Sequence, residues 1–384
     1  MPLRARPRPR AGHAGRAGGS LTTQAASRRP LGRRIAWPAA RILIILAVGA
    51  VAVWKLDLGE IRDAFHIDSW WFLILAILAN FASVAWKGVA WKAVVDALPS
   101  LRSRTRWRDI FSPLFVGFLF NTVLAARLGE IVKVLLLRRR LERRGERPPT
   151  TTLLGTVVAE NLVSTIAWVA LVIAIGLVLP LPSYAWVASI SLGAGCLAIT
   201  VVALLSSPGR QVPPWLRTGP LWARATRAVS RLWGAVRESH LGLRDPRQMG
   251  LVSGASLLSW ISQWAGIYFT LMAFGLDQVG WGGAALLLVT VTLAQAFPVL
   301  PGNVLVFQAA AVVPLTASYG VGAAEAIAFS VVLQATEAIV GVVVGFLFLI
   351  AEGVGFKQLR RQAEEEEARV GPREPVAVDT LAGP

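Results

Sequence analysis

Cysteine is almost absent from this chain. Cys196 is the only one in 384 residues and lies within an apolar run, so there is no disulfide framework and no thiolate metal site. Histidine is nearly as scarce, and His13, His66 and His240 are too scattered to make a zinc constellation. Charged residues are only 16% of the chain against 55% hydrophobic, with a mean hydropathy of +0.57. That is too little polar surface to cover a soluble fold. The longest polar interval, Ser206 to Gly250, is about a third of the usual domain size of around 100 to 150 residues, which excludes a separate soluble catalytic domain. No nucleotide-binding P-loop is discernible. Acid is missing from the first forty residues, which carry Arg4, Arg6, Arg8, Arg10, Arg16, Arg28, Arg29, Arg33 and Arg34.

What the chain does have is repeated apolar runs of about 18 or more residues, the length that a bilayer core of about 30 Å requires. They lack the alternation of barrel strands, so an all-α polytopic membrane protein is expected. The net charge of +17 comes mostly from arginines that flank these runs, where they orient a membrane protein rather than bind nucleic acid. Residues 1–34 read as a disordered basic cytoplasmic arm with weak affinity for anionic lipid headgroups; an Arg-rich transit peptide is the competing view. Residues 353–384 read as a disordered cytoplasmic tail. No cofactor or metal is expected.

Loop charge orders the spans. The first, about Ile35 to Trp54, leads to an acid-rich external loop in which "DLGE" reads as a capping box of Asp57 with Glu60. Trp70 and Trp71 stand where an aromatic belt would, and the second span runs from Trp71 to about Val94, with Lys87 and Lys92 snorkelling to the headgroups. Further spans are about Thr152 to Leu179, Tyr184 to Leu205, Leu251 to Phe274 and Ala324 to Glu352, and a cytoplasmic amphipathic helix is read at about 219–240.

Two segments break the pattern. Ile110 to Leu137 has basic loops on both sides, and each apolar half is about 15 to 21 Å long, short of the hydrocarbon thickness. A re-entrant hairpin with "AARLGE" at its tip satisfies both constraints. Trp281 to Tyr319, interrupted by "FPVLPGN", is a second hairpin entering from the other side. The fold class is therefore an inverted repeat with two re-entrant helical hairpins plus about six full spans. Together they form a transmembrane domain over 35–352, with repeat one at about 71–179 and repeat two at about 251–352. Opposed broken helices meeting near the midplane are a common transporter construction.

Irregular backbone at membrane depth must be shielded or line a wet cavity. Arg127 at the first tip offers a planar fork of donors suited to phosphate, and the amides of a helix starting at about Leu128, Gly129 among them, add partial positive charge. Glu130 either holds Arg127 or exchanges a proton; a purely structural Arg127–Glu130 pair is the plain alternative. Glu160 and Glu337 lie inside spans, where a lone carboxylate costs about 2.5 to 3.5 kcal/mol; Arg127 and Lys133 are candidate partners. Asn121, Asn303, Gln308 and Gln334 supply further polar groups, with Pro301 and Gly302 at the second tip.

At "NTVLAARLGEIVKVLLLRRR", and again at "LPGNVLVFQAAAV" with "AEAIAFSVVLQATEAIVGVVVGFL", the chain resembles the flippase-like membrane family named for the transmembrane region of lysylphosphatidylglycerol synthase. The likeness covers most of Trp37 to Glu352. Members look like N-x-x-x-P-x-R-L-G-E at the first hairpin, which maps to Asn121, Ala125, Arg127, Leu128, Gly129 and Glu130, with Ala125 in place of proline. Their P-G-G-x-G-x-x-E maps to Pro301, Gly302, Asn303, Leu305 and Gln308, so two glycines and the glutamate are replaced. An arginine usual in the last span falls at Gln334, so a buried ion pair is lost as a unit.

The resemblance implies translocation of lipids or lipid-linked sugars, and the donor fork of Arg127 points to a substrate that bears phosphate. Loop charge places both termini in the cytoplasm, at a bacterial cytoplasmic membrane, and no catalytic residues are expected. Two other functions compete. One is a polyprenyl-phosphate-sugar-dependent glycosyltransferase using Asp57, Glu60, Asp63 and Asp68; the other is a scaffold for envelope-biosynthesis enzymes.

Overall fold

The structure, a computed structural model, describes residues 63–123, 128–178, 183–205, 234–295, 303, 305–353 and 355–370. The basic arm, the first span, the capping box, Arg127, Pro301, Gly302 and most of the amphipathic segment at 219–240 lie outside the described residues; 234–242 is helical.

Among the described residues every regular element is helical. Helix α1 is Trp70–Asp96, α2 Trp107–Val123, α3 Leu128–Arg143, α4 Thr150–Gly176, α5 Ser183–Leu205, α6 Pro246–Ala273, α7 Gly280–Gln295, α8 Val306–Tyr319 and α9 Ala323–Ile339. Helix α9 continues through a π turn, Val340–Val344, to Glu352, and α10 is Phe356–Val370. By length and composition, four of the described helices can cross a membrane: Trp70–Asp96, Thr150–Gly176, Asp277–Gln295 and Ala323–Glu352. The chain is a multi-pass membrane protein.

Helices α1 and α6 form a closely packed antiparallel pair. Asp68 N–H donates to Ala273 O at one end (2.9 Å), Phe72 stacks on Phe269, and Ser83 Oγ meets Ser259 Oγ at 3.1 Å further in. Small residues allow this approach: a Cβ on Gly266 would lie 3.2 Å from Asn80 Nδ2. In lipid, where apolar side chains gain nothing by leaving hydrocarbon, such close van der Waals and hydroxyl contacts hold helices together. The outer stripe of α1, Trp70, Trp71, Ile74, Leu78 and Phe81, is exposed, as a lipid-facing surface with aromatic ends should be.

Helices α2 and α3 fold back on one another around two glycines. A Cβ on Gly129 would sit 2.0 Å from Gly117 O, and one on Gly117 2.8 Å from Gly129 O, so neither position has room for a side chain. At about 1.5 Å per residue, α2, α3 and α8 measure about 26, 24 and 21 Å, all under the hydrocarbon thickness. Helix α7 departs from expectation: with the 3-10 turn before it, Asp277–Gln295 is long and apolar enough to cross. The sequence reading cut this limb short by starting it at Trp281.

Part of the tail, expected to be disordered, is ordered among the described residues. Phe356–Val370 is a helix with Leu359 and Ala363 buried alongside Val132 and Leu136, and Phe356 stacks on Phe120 at 4.3 Å between centroids. Arg360–Glu364 and Arg361–Glu365 pair at i,i+4 spacing, which supports a helix.

Candidate functional site

The tip of the first hairpin builds a polar cluster from the backbone outward. Helix α3 begins with N–H groups that have no partner in their own helix. Asn121 at the end of α2 answers one of them: its Oδ1 accepts the Gly129 N–H at 2.9 Å. Its Nδ2 donates to Glu130 Oε1 at 3.3 Å. One turn on, Lys133 Nζ lies 2.5 Å from Glu130 Oε2 with only 3% of its side chain exposed. The Lys133 ammonium also rests 4.9 Å from the centroid of the Trp91 ring, a position in which the ring's π face attracts a desolvated cation. Trp91 is itself fixed by Nε1 donating to Thr156 Oγ1 at 3.1 Å.

A second ion pair adjoins the first. Lys87 Nζ on α1 lies 3.4 Å from Glu160 Oε1 on α4, and the Glu160 side chain is 1% exposed. Lys87 also donates to Asn161 Oδ1 at 3.4 Å, and Lys87 and Glu160 each stand one turn from the bonded pair Trp91 and Thr156, whose indole faces Lys133. Two ammonium groups and two carboxylates thus form one neutral cluster joining α1, α3 and α4, with Asn121 of α2 at its edge. Glu130, with 30% of its side chain exposed, is the open side. This corrects two expectations. Lys87 is an internal counter-ion rather than a snorkelling residue, and Glu160 is paired with it while Lys133 pairs with Glu130. Lys92 likewise pairs with Asp96 instead of reaching outward.

The second hairpin holds different chemistry. Glu337 on α9 accepts from Gln263 Nε2 of α6 at 3.5 Å and from Gln295 Nε2 of α7 at 3.3 Å. Gln308 Nε2 donates to Gln334 Oε1 at 2.7 Å, while its Oε1 accepts the Leu305 N–H. Asn303 Nδ2 closes the loop on Ala294 O at 3.0 Å. Asn303 and Leu305, the residues standing where the resemblance implies glycine, adopt φ of 54° and 73°; the glycine-type backbone is kept although the glycines are not. Of the twelve candidate residues, Asn121, Gly129, Glu130, Lys133 and Glu160 come together around the first tip. Asn303, Gln308, Gln334 and Glu337 belong to the second half. Arg127, Pro301 and Gly302 lie outside the described residues.

One network was read in sequence only as flanking charge. Arg140 of α3 pairs with Glu352 at the end of α9 and lies 3.5 Å from Asp109 of α2, while Arg144 lies 2.8 Å from Asp109. Ser112 Oγ also donates to Glu352. This seam fastens α2 and α3 to the end of α9. Beside it a cleft of about 560 Å³ is lined by Arg139, Glu142, Arg143, Gly353 and Gln358, further along α3 than Lys133. In the loop beyond, burial works against ionisation of Glu146, but hydrogen bonds from Ser103 Oγ and the Arg102 and Ser103 N–H groups outweigh it and hold the carboxyl below its usual range.

Comparison with curated proteins gave no match. The family model described as the lysylphosphatidylglycerol synthase transmembrane region matches residues 39–345, a span that takes in both hairpins and the charge cluster. The chain therefore belongs to the lysylphosphatidylglycerol synthase transmembrane region family.

Proposed function

We propose that this protein translocates a phosphate-bearing lipid or lipid-linked sugar across the bacterial cytoplasmic membrane, without chemical change to it. The observation that carries this reading is the neutral cluster of Lys87, Lys133, Glu130 and Glu160 inside apolar helices. Buried ion pairs contribute little to stability compared with a well-packed apolar core, and ionisable groups at membrane depth mark substrate or ion pathways. Arg127 immediately precedes Leu128 in sequence and brings a further cation and a bidentate donor fork to the same tip.

In this reading the two hairpins are re-entrant and related as an inverted repeat. The order helix, hairpin, helix occurs twice, as α1 to α4 and α6 to α9, and α1 and α6 run antiparallel. A headgroup enters from the Glu130 side, and its phosphate takes the place of a carboxylate on Lys133 with Arg127 completing the grip. The displaced Glu130 keeps its hydrogen bond from Asn121. Acyl chains remain in the bilayer, and alternating exposure of the site carries the headgroup across. Both termini are placed in the cytoplasm by the basic segments that flank the spans.

The test is a liposome assay of headgroup accessibility with several anionic lipids, comparing the native chain with Arg127→Ala, Lys133→Met and Asp57→Asn combined with Glu60→Gln. Transport that falls at least tenfold in the first two variants and survives in the third supports translocation through this cluster. Equal rates in all four overturn it. Sugar transfer abolished by the third variant, with no lipid movement in any, would favour the glycosyltransferase.

A further inference from the structure

Glu130, Glu160 and Glu337 lie inside apolar helical segments, and they are not held alike. Glu130 has Lys133 and Glu160 has Lys87. Glu337 has only the side-chain amides of Gln263 and Gln295 recorded as hydrogen-bond partners, and among the described residues no cation lies within ion-pair distance of it. Two amide donors can satisfy an ionised carboxylate but supply no net charge, so the neutral acid competes with the anion at a site that penalises charge.

The titratable and charged groups on the elements packed against α9 leave this picture unchanged. Helix α1 brings Lys87, which is engaged by Glu160 and Asn161, and Lys92 and Asp96, which pair with each other. Helix α2 brings Arg108 and Asp109 at its start, Asp109 being engaged by Arg140 and Arg144. On α9 itself, Glu325 stands in the first turn, about three turns before Glu337. Helix α6 brings Arg247 at its start and Tyr268, which stacks on Trp281; α8 brings Tyr319 at its end. None of these has a recorded contact with Glu337.

Glu337 is also connected. Ser83 stands one turn from Lys87 on α1 and meets Ser259 of α6; Gln263 stands one turn beyond Ser259 and reaches Glu337. Along the antiparallel α1/α6 pair, a file of polar side chains therefore leads from the charge cluster to Glu337. Two backbone features meet at this end. Gln295 is the last residue of α7, and the π turn Val340–Val344 begins three residues after Glu337. Single π turns inside α-helices concentrate at functional sites, where an extra residue per turn lets the helix shift register.

We propose that Glu337 is the proton-coupling group of the transporter, a role that rests on the translocation reading above. An O–H bond forms on one Glu337 oxygen with a proton from water on one side of the membrane, and it breaks to water on the other side. The ionised form accepts from both amides. The protonated form must donate through its new O–H, so one glutamine turns its amide over to offer Oε1. That change loosens or resets the link between α9 and the end of α7, and couples proton occupancy to the position of the second hairpin.

The full chain is reconstituted in vesicles of phosphatidylcholine and phosphatidylglycerol carrying a trace of NBD-labelled phosphatidylglycerol, with the membrane potential clamped. With one proton exchanged per lipid, a gradient of about one pH unit displaces the steady-state transbilayer ratio of the label about tenfold. Glu337→Gln is expected to exchange label while its ratio stays near one. A Glu337→Gln variant that follows the gradient like the native chain overturns the proposal, as does a native chain that moves lipid and ignores the gradient; translocation itself survives both results. A second measurement needs no substrate. Infrared spectra of the purified chain between about pH 5 and 9 are expected to show a protonated-carboxyl C=O band that titrates in the native protein and is missing from Glu337→Gln. Absence of that band in the native protein overturns the proposal whether or not lipid moves. If Arg127→Ala moved the band's midpoint up by more than about one unit, Arg127 would be the missing counter-ion, and the premise of an unpaired carboxylate would fail.

Discussion

Glu160 Oε1 sits 3.4 Å from the Lys87 ammonium, and no hydrogen bond reaches either oxygen of that carboxylate among the described residues. Among the described residues the carboxylate is held by charge and burial alone, between α1 and α4. Lys87→Met leaves a carboxylate that is 1% exposed without its counter-ion, and removing one partner of a buried pair costs about 3 kcal/mol or more. Glu160→Gln should cost less, because Lys87 is 22% exposed and keeps Asn161 Oδ1. The double variant should recover most of the loss. Chemical unfolding in detergent and a double-mutant cycle measure this; a Lys87→Met loss under about 1 kcal/mol would show the pair to be electrostatically idle.

The loop joining α1 to α2 should open in acid. Glu146 accepts the N–H groups of Arg102 and Ser103, each at 3.1 Å, and its folded-state pKa lies below the ordinary 4.5. A depressed carboxylate contributes stability that is complete above the unfolded value and lost as pH falls through the folded value. Amide exchange at 102 and 103 should therefore be protected above about pH 4.5 and accelerate below it. Glu146→Gln should exchange fast at both ends of that range. Protection independent of pH from about 3 to 7 would rule the carboxylate out as the anchor.

The parts of this site that sequence revealed are those whose partners lie close along the chain. Asn121, Gly129, Glu130 and Lys133 meet because they border one tight reversal, and the family motif marks the same turn. Lys87 and Glu160 are far apart in sequence, and α1 and α4 are apolar on nearly every face, so nothing in their periodicity shows which side of α1 meets which side of α4. Sequence alone therefore places Lys87 at the headgroups. The tail was missed for another reason: four consecutive glutamates suggest a solvated coil, and only the packing of Leu359 and Ala363 against α3 shows an anchored helix. Asp109, Arg140 and Glu352 look like flanking charge until α9 is seen to end beside α2.

Leu305 should be improved by glycine. Its φ of 73° with ψ of −46° is backbone that a branched side chain adopts at a cost of about 1 to 3 kcal/mol, whereas glycine enters positive φ freely at an entropic cost of roughly 0.5 to 1 kcal/mol. Leu305→Gly should raise stability by about 1 kcal/mol. Asn303→Gly should not, since asparagine tolerates φ of 54° better than leucine tolerates its own strain, and its amide bonds Ala294 O. Thermal unfolding of the two variants side by side decides it; destabilisation by Leu305→Gly would mean that its side-chain packing outweighs the strain.

The same hairpin offers a reversible test of charge. Gln308 Nε2 and Gln334 Oε1 are 2.7 Å apart, at the two positions where the family resemblance implies glutamate and arginine. A paired glutamine contact is what should remain if an ion pair were lost without leaving either partner stranded. Gln334→Arg alone puts a cation into α9 that Glu337, one turn on, can partly answer, so it should cost less than a lone cation does, about 2.5 to 3.5 kcal/mol on insertion scales. Gln308→Glu alone should be milder, because the new carboxylate still accepts the Leu305 N–H that Oε1 accepts now. Together the two changes should return stability to within about 1 kcal/mol of the native chain, since each charge supplies the other's counter-ion at hydrogen-bonding distance. Coupling in the double-mutant cycle is the decisive quantity. A value near zero would mean that the two positions do not meet in the membrane, and the arrangement of α8 against α9 described here would have to be redrawn.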